Sequence, residues 1–267
     1  MENIITTEQW EYIREFLPKQ KVMGRPRVDD KKLLNGIMYV LKTGCRWNDM
    51  PKEYGNGKTA HRRFKELEKI KFFKKLNEKL LKDNHKQIEL KKISIDSSTI
   101  TAKKGGDNIG YDGNKKQKGT KINLSINKEY LILSRSIMSA NRNDVIGFEE
   151  TIKLISIKNG KVGRPRSKPE SVYADGIYDT KNIRNYLRKR DIISNIPVNK
   201  RNRKRPKKGR AFKLNEDYVS TRGSIERVYG WLKMRFRKLE IRYEYYARNF
   251  IAFLDFAIFF HNWKLLR

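Results

Sequence analysis

The stretch that decides the fold is Ile93-Ser94-Ile95-Asp96-Ser97-Ser98-Thr99-Ile100. Its residues alternate as in a β-strand, and this period puts Ser94, Asp96 and Ser98 on one face. This pattern puts the carboxylate where a metal ion can meet it. Any aspartate on a strand can also be a solvated polar residue, so Asp96 indicates a site only together with partners.

Two further acidic residues lie in patterns that can bring them to the same place. Asp175 follows the apolar run Val172-Tyr173-Ala174 and is expected near the end of a short buried strand. Glu226 lies on a helical stretch, four residues after Arg222 and seven before Lys233, and this spacing puts all three on one face. Two strand carboxylates and one helix carboxylate suggest a two-metal site acting on a polyanion. The alternative is that Glu226 simply pairs with Arg222.

The composition favours nucleic acid as that polyanion. Lysine and arginine number 62 against 30 aspartate and glutamate residues, which gives a formal net charge of +32. Such a surplus favours phosphate contacts, because these release counterions and dominate affinity. No apolar run reaches transmembrane length, and the long one from Phe250 to Trp263 contains Asp255 and His261, so it is expected to be a buried helix. The first residues do not read as a signal peptide, and no membrane partner is expected.

The few cysteines and histidines limit which disulfides and metal sites the chain can form. Cys45 is the single cysteine, so an intramolecular disulfide is excluded. With three histidines, a Cys/His zinc site is not expected either. These features predict a reducing, intracellular compartment. A chain of 267 residues has room for a substantial core and for two domains.

Residues 1–85 are predicted to form a small all-α domain that binds DNA. Three helices are expected: one from Thr7 to Pro18, one from Asp29 or Asp30 to Gly44, and one that Thr59 caps. The first turns of the third carry Arg62 and Arg63, as in the recognition helix of a helix-turn-helix. A solvated basic face is the alternative. The charged, helical residues 71–92 are expected to link this domain to the next.

Residues 86–267 are predicted to form an α/β domain. After the Asp96 strand, two alternating segments flank a turn at residues 127–129 and predict a hairpin. The remaining elements are expected to be helices at residues 144–155 and 179–190, a strand at 192–198 and a long helix around Glu226. This order suggests a mixed sheet with helices packed against it. Asp179 is expected to cap a helix rather than to bind metal, and Asp107 and Asp112 to be turn residues.

Three basic segments are further candidates for DNA contact. Gly-Arg-Pro-Arg occurs at residues 24–27, with Arg25 and Arg27, and again at residues 163–166. Such arginines can enter an A·T-rich minor groove, although both segments can be plain basic turns, which we prefer for the second. The basic loop at residues 199–210 is expected to contact DNA phosphates, with a solvated charge run as the alternative.

Taken in order, these motifs resemble the DDE-type transposases of prokaryotic insertion sequences, which have a ribonuclease-H-like catalytic domain. The similarity covers almost the whole chain, through residues 24–47 in the helical region, 95–98 and 163–179 around the two aspartates, and 222–250 around Glu226. Two positions depart from the pattern. Tyr218 is separated from Arg222 by three residues instead of two, and Ile177 stands where a small residue often follows the second aspartate.

The resemblance implies a reaction and its site. Asp96, Asp175 and Glu226 are expected to be the catalytic residues and to hold two Mg²⁺ ions, for which Mn²⁺ may substitute, with Asp96 bridging them. The enzyme would cleave a phosphodiester bond and then join the freed 3′-hydroxyl to target DNA. Arg222 and Lys233 are expected to contact the phosphate backbone, and Arg237 to contribute to DNA binding.

The resemblance also implies the partners and the setting. The expected partners are double-stranded DNA, as terminal inverted repeats and target, and further copies of the chain in a homodimer or higher assembly on DNA. A cytoplasmic, nucleoid-associated protein of a prokaryote is expected. Two other functions stay open: a catalytically silent DNA-binding regulator derived from a transposase, and a ribonuclease-H-like nuclease without strand transfer.

Overall fold

The computed structural model describes residues 4–19, 27–199 and 214–267. Within these ranges the chain forms a seven-stranded mixed sheet with eight α-helices around it, which confirms the predicted α/β fold class. The helices are α1 Thr7–Arg14, α2 Asp30–Thr43, α3 Gly57–Lys69, α4 Phe72–Asp83, α5 Asp144–Lys153, α6 Lys181–Lys189, α7 Tyr218–Arg235 and α8 Ala247–Leu266. The strands are β1 Lys92–Ala102, β2 Gly110–Asp112, β3 Gln117–Asn127, β4 Ile132–Ser139, β5 Ser171–Tyr173, β6 Ile193–Asn195 and β7 Ile241–Arg242.

The strand that carries Asp96 lies at the centre of the sheet. The order is β2-β3-β1-β5-β6; in addition β4 pairs with β3, and β7 pairs with the far end of β1. The predicted hairpin is confirmed, because β3 and β4 are antiparallel neighbours on either side of residues 127–131. β1 is antiparallel to β3 and parallel to β5. The parallel pairing brings the chain that follows β5 to the same edge region as the middle of β1.

Local capping explains most helix boundaries in the N-terminal region. Asp29 caps α2, and Gly44 ends it in the left-handed conformation at φ 73°, both as predicted. Two predicted starts are wrong. Thr6 rather than Thr7 caps α1, because it forms a reciprocal capping box with Gln9. Asn56 rather than Thr59 caps α3, because its Oδ1 accepts the backbone N–H groups of residues 58 and 59.

Each face of the sheet buries its own hydrophobic cluster. Ile93 and Ile95 of β1 pack with α5 and α6, whereas Ile100 packs on the other face with α7, α8 and the N-terminal helices. In that second cluster Phe64 stacks on Phe253 with ring centroids 4.3 Å apart. The N-terminal helices therefore share a core with the last helix of the chain, while the boundary proposed at residue 85 stays a prediction.

Helix α8 is buried along its length, as predicted for residues 250–263. Its two polar interruptions are paired. Asp255 accepts two hydrogen bonds from the Arg135 guanidinium at 2.7 and 2.6 Å, and a ring nitrogen of His261 lies 3.0 Å from the Tyr130 carbonyl oxygen. In the part of the chain that the structure describes, no helix is both long and apolar enough to span a membrane.

Candidate active site

Helix α7 lies along the polar face of β1 and is fixed to it at three points. The Ser94 hydroxyl donates to the carbonyl of Thr221 at 2.6 Å. The Tyr229 hydroxyl, on α7, donates to the backbone carbonyls of Asp96 at 2.9 Å and Ile122 at 2.8 Å. Further along, the ammonium group of Lys233 donates to the Ser98 hydroxyl at 2.8 Å. The predicted face of Ser94, Asp96 and Ser98 is therefore confirmed, and it meets the helix that carries Glu226.

Asp175 is separated from the end of β5 by Ala174 alone and lies in the same region. It caps the short 3₁₀ helix Gly176–Tyr178 by accepting the Gly176 N–H at 2.5 Å. The Tyr218 hydroxyl, from the first residue of α7, donates to the Ala174 carbonyl at 3.1 Å. This bond ties the start of α7 to the residue before Asp175, so one helix contacts both aspartate-bearing strands.

The three predicted carboxylates meet around one guanidinium group. Arg222 lies 2.5 Å from Glu226 Oε1, 3.7 Å from Asp175 Oδ2 and 3.9 Å from Asp96 Oδ2. The side chains of Asp175 and Glu226 are 54% and 57% exposed, whereas that of Asp96 is 21% exposed. Asp96 thus forms the floor of the site, and the other two carboxylates form a rim open to solvent.

The charge environment makes the Asp96 carboxylate hard to ionise. Burial raises its pKa from the ordinary value of 3.8 to about 6, and the nearby carboxylates of Asp175 and Asp144 act in the same direction. The Ser97 N–H, which donates to Asp96 Oδ1 at 2.8 Å, and the Arg222 guanidinium oppose this rise without cancelling it. A further cation beside Asp96 would stabilise the ionised form.

The donor set suits a hard divalent cation, because all three side chains offer carboxylate oxygens. Among the described residues, no group of three or more His, Cys, Asp or Glu side chains is spaced to hold a metal ion as it stands. The Arg222 guanidinium lies within 4 Å of each of the three carboxylates. Asp96, Asp175 and Glu226 therefore fit a metal chemically, once the Arg222 side chain turns away from them.

A polar network on the opposite face of β1 was not predicted. The Ser97 hydroxyl donates to Asp144 Oδ1 at 2.6 Å, and Lys121 pairs with the same carboxylate oxygen at 2.9 Å. Tyr178, on the 3₁₀ helix after Asp175, is hydrogen-bonded to Ser97 as well. The network joins β1 to the 3₁₀ helix after Asp175 on the face of β1 opposite Asp96. Asp144 looked like an ordinary first-turn acid of α5, and no sequence pattern linked it to Ser97.

The two arginines near the start of α3 differ in exposure and in their partners. Arg62 is exposed, with 74% of its side chain accessible and Glu66 4.0 Å away. Arg63 is 5% exposed, and its guanidinium donates to Asp30 at 2.8 and 3.0 Å and to Glu66 at 3.3 Å. The donors of Arg63 fasten α3 to the start of α2 in this conformation, and a contact of Arg63 with DNA stays a prediction.

The other arginines with predicted DNA contacts lie in different surroundings. Arg27 is half-buried, donates to the Pro18 carbonyl at 3.2 Å and lies 3.4 Å from Asp30. Arg25 lies outside the described residues, as do residues 200–210 of the basic loop. Arg237 is exposed on the 3₁₀ helix that follows α7. In the second Gly-Arg-Pro-Arg segment, Arg166 donates to the Ile88 carbonyl at 3.1 Å, in keeping with a structural turn.

Three other acidic residues have structural partners. Thr180, not Asp179, caps α6, because the Asp179 carboxylate receives Arg184 Nε at 2.8 Å and the Asn199 N–H at 2.9 Å. Asp112 accepts the N–H groups of residues 114 and 115, as predicted for a turn residue. Asp107 also lies in a turn, and it accepts the N–H of the first residue of α8 at 3.4 Å.

The chain matches two transposase family models and resembles a solved transposase structure in its fold. Residues 87–258 match the family described as "Transposase DDE domain", and residues 5–77 match the one described as "Putative transposase of IS4/5 family". A cryo-EM structure of a piggyBac transposase synaptic complex with hairpin DNA superposes with a TM-score of 0.57. That match covers 96% of this chain and 70% of the other at 11% identity, so it bears on the fold alone.

Two proteins of the insertion element IS402 from Burkholderia cepacia are similar in sequence. The first, an uncharacterized 16.2 kDa protein, is 36% identical over 116 residues, which are 40% of this chain and 79% of that protein. The second, a putative transposase, is 31% identical over 149 residues, which are 56% of this chain and 65% of the relative. The similarity therefore spans less than two thirds of the putative transposase.

Proposed function

We propose, because this chain belongs to the transposases with a DDE domain, that it cuts and joins DNA at the site around Arg222. The observation that carries the proposal is the meeting of three carboxylates from distant segments, Asp96, Asp175 and Glu226, at one guanidinium. Family membership makes a nucleic acid the expected substrate, and the net charge of +32 is suited to a polyanion.

Asp96, Asp175 and Glu226 would hold Mg²⁺ or Mn²⁺, in our proposal as two ions. Bound there, such ions supply Lewis acidity for the attack on a phosphodiester and for its leaving oxygen. The chain's own residues position the carboxylates. Tyr229 holds α7 against the backbone of Asp96, and Tyr218 holds the start of α7 against the strand end before Asp175.

Arg222 and Lys233 are the residues that we assign to the DNA strand at the site. An Arg222 side chain that leaves the carboxylates is placed to receive a phosphate nearby. Lys233 lies beside Ser98, two residues beyond Asp96, and cannot ligate a cation while protonated. Burial lowers the pKa of Lys233, and the charge of Lys115 adds to this effect. A phosphate bound to Lys233 would raise its pKa again. The same contact would hold the cleaved strand beside the carboxylates.

The test uses a duplex that carries the inverted repeat flanking the coding sequence. Asp96→Asn, Asp175→Asn and Glu226→Gln should each abolish Mg²⁺-dependent nicking and leave duplex binding largely unchanged. Lys153→Gln is a matched control, because Lys153 lies on the outer side of α5 and pairs with Glu149. Nicking at the wild-type rate by any of the three variants would remove that residue from the site.

The same duplex separates our proposal from its two alternatives. A transposase should join the 3′-end to a second DNA molecule. A nuclease on this fold should stop after nicking, and a DNA-binding regulator should bind the repeat without cutting it. Binding as a dimer or a higher assembly would appear in the mass of the protein–DNA complex.

A further inference from the structure

A second concave surface lies away from the carboxylate site. It is a groove of about 1090 Å³ between helix α3 and residues 243–249, which comprise the connection from β7 to α8 and the first residues of α8. Seven basic and three acidic side chains line it. The charge that remains is positive, so the groove suits an anionic ligand.

Three exposed tyrosines distinguish this groove from a plain basic surface. Tyr243, Tyr245 and Tyr246 are 46%, 59% and 49% exposed and follow one another along one wall. The rings of Tyr245 and Tyr246 are 5.3 Å apart at an angle of 81°, so they present faces in two directions. The Arg248 guanidinium lies 4.9 Å from the centre of the Tyr246 ring.

The backbone beneath the tyrosines is firmly held. The Tyr245 carbonyl accepts the Asp107 N–H at 3.0 Å and the Arg242 guanidinium at 3.2 Å. Gly106, at φ 149°, passes so close that an added Cβ would lie 2.2 Å from that carbonyl oxygen. The exposed rings therefore stand on a fixed support, which reduces the entropy lost when a ligand stacks on them.

The wall of the groove opposite the tyrosines carries basic side chains and one stacked pair of uncharged aromatic rings. Arg62 and Lys65 of α3 line the groove. His61 stacks on Trp47 with centroids 4.9 Å apart, and burial lowers the pKa of His61, with the charge of Lys65 acting in the same direction. Glu244 also lines the groove; one of its carboxylate oxygens pairs with Lys238 at 3.1 Å, and the other is buried without a hydrogen-bond partner among the described residues.

We infer that this groove binds unpaired nucleotides of a DNA strand. Basic side chains that follow the phosphates, interleaved with aromatic rings on which bases stack, are the physical requirements of a single-strand site. A duplex keeps its base faces stacked inside, so it can use the charges of the groove but not the tyrosine rings.

The position of the groove relates it to the carboxylate site. The part of β1 from Asp96 to its last residue, Ala102, is about 20 Å long at ~3.3 Å per residue, and β7 pairs with that end of β1 before the chain reaches the three tyrosines. A strand that is unpaired near the carboxylates can thus extend into the groove. The inference rests on the proposed function only in taking DNA as the ligand.

The test measures fluorescence anisotropy of a labelled, unstructured single strand of roughly 12 nucleotides and of the matching duplex. The protein is the full chain in EDTA, so cleavage plays no part in the readout. Tyr245→Ala and Tyr246→Ala should each weaken single-strand binding about fivefold or more, and duplex binding about twofold or less. Tyr245→Phe should retain binding, because stacking needs the ring and not the hydroxyl. Tyr111→Ala removes a tyrosine that is 56% exposed outside the groove and should change neither affinity.

Two results would overturn the inference. Wild-type single-strand affinity in both alanine variants would show that the rings do not stack on bases. Equal losses for single strand and duplex would make the groove a general anionic-ligand surface. Because these tyrosines are exposed, melting temperatures near that of the wild type are expected and serve as the folding check. Loss of nicking in the carboxylate variants leaves this readout untouched, so the two proposals can fail separately.

Discussion

Replacing Asp96 with asparagine should stabilise the metal-free protein at neutral pH. The folded-state pKa of Asp96 is raised from 3.8 to about 6, chiefly by burial. A raised pKa means that the folded protein binds the proton more tightly than the unfolded chain does. Protonated Asp96 therefore stabilises the folded state, fully below pH 3.8, and this contribution is lost as the pH rises through about 6. At ~1.4 kcal/mol per pH unit, ionised Asp96 costs the folded state about 3 kcal/mol at pH 7, as an upper value.

The assay is urea unfolding in EDTA between pH 5 and 8, with the wild type and Asp96→Asn compared at each pH. The difference in unfolding free energy should grow with pH and level off above about 6. Comparison with the variant removes the titration of all other carboxyl groups. Adding Mg²⁺ should then stabilise the wild type and not the variant, because only the wild type can bind the ion at Asp96. A variant no more stable than the wild type at pH 7 would refute the reasoning.

Three further changes test neighbouring parts of the structure. Lys233→Ala should lower strand transfer about tenfold or more while binding falls slightly and the salt slope drops by about one, and Lys233→Arg should restore part of the activity. Arg63→Ala should lower the unfolding free energy by about 2 kcal/mol, because it leaves the partly buried Asp30 with Arg27, 3.4 Å away, as its remaining basic partner, whereas Arg62→Ala should leave stability unchanged and weaken binding of the element end. Tyr229→Phe should cost about 1 kcal/mol of stability and slow nicking, because α7 is no longer fixed to the backbone of Asp96.

Each of these three has a contrary outcome. Wild-type strand transfer in Lys233→Ala would leave Lys233 as a structural partner of Ser98 alone. Unchanged urea unfolding of Arg63→Ala would mean that its ion pair is solvated in solution. Wild-type nicking by Tyr229→Phe, with its stability reduced, would show that the packing of α7 suffices to place Glu226.

Local patterns predicted the elements and the faces of the site. The alternation at residues 93–100 predicted the central strand, and helical spacing put Arg222, Glu226 and Lys233 on one face of α7. Both predictions depend on neighbours along the chain, which fix a periodicity. The same locality explains why the missed helix caps lie only one to three residues from the predicted positions.

Burial of individual polar side chains depended on distant contacts and could not be predicted in the same way. Arg62 and Arg63 are adjacent in a basic turn, and only the position of Asp30, 33 residues before Arg63, makes one of them internal. The tyrosine groove likewise depends on Gly106 approaching Tyr245 from across the sequence. A basic or aromatic residue has the same local signature whether its partner is a distant side chain or a ligand.

The charge balance at Arg222 explains how an anion-rich site persists in so basic a protein. Three ionised carboxylates around one guanidinium leave two negative charges, although the chain as a whole carries +32. The Arg222 guanidinium lowers the pKa of the Asp96 carboxyl, but burial, together with the charges of Asp175 and Asp144, keeps that pKa raised at about 6. In our proposal, a divalent ion held by Asp96, Asp175 and Glu226 would supply the missing charge and would leave Arg222 available to pair with a phosphate of the DNA strand. Arg222 pairs with the three carboxylates in the metal-free structure, and our proposal predicts that it would exchange these partners for DNA phosphate once ions are bound.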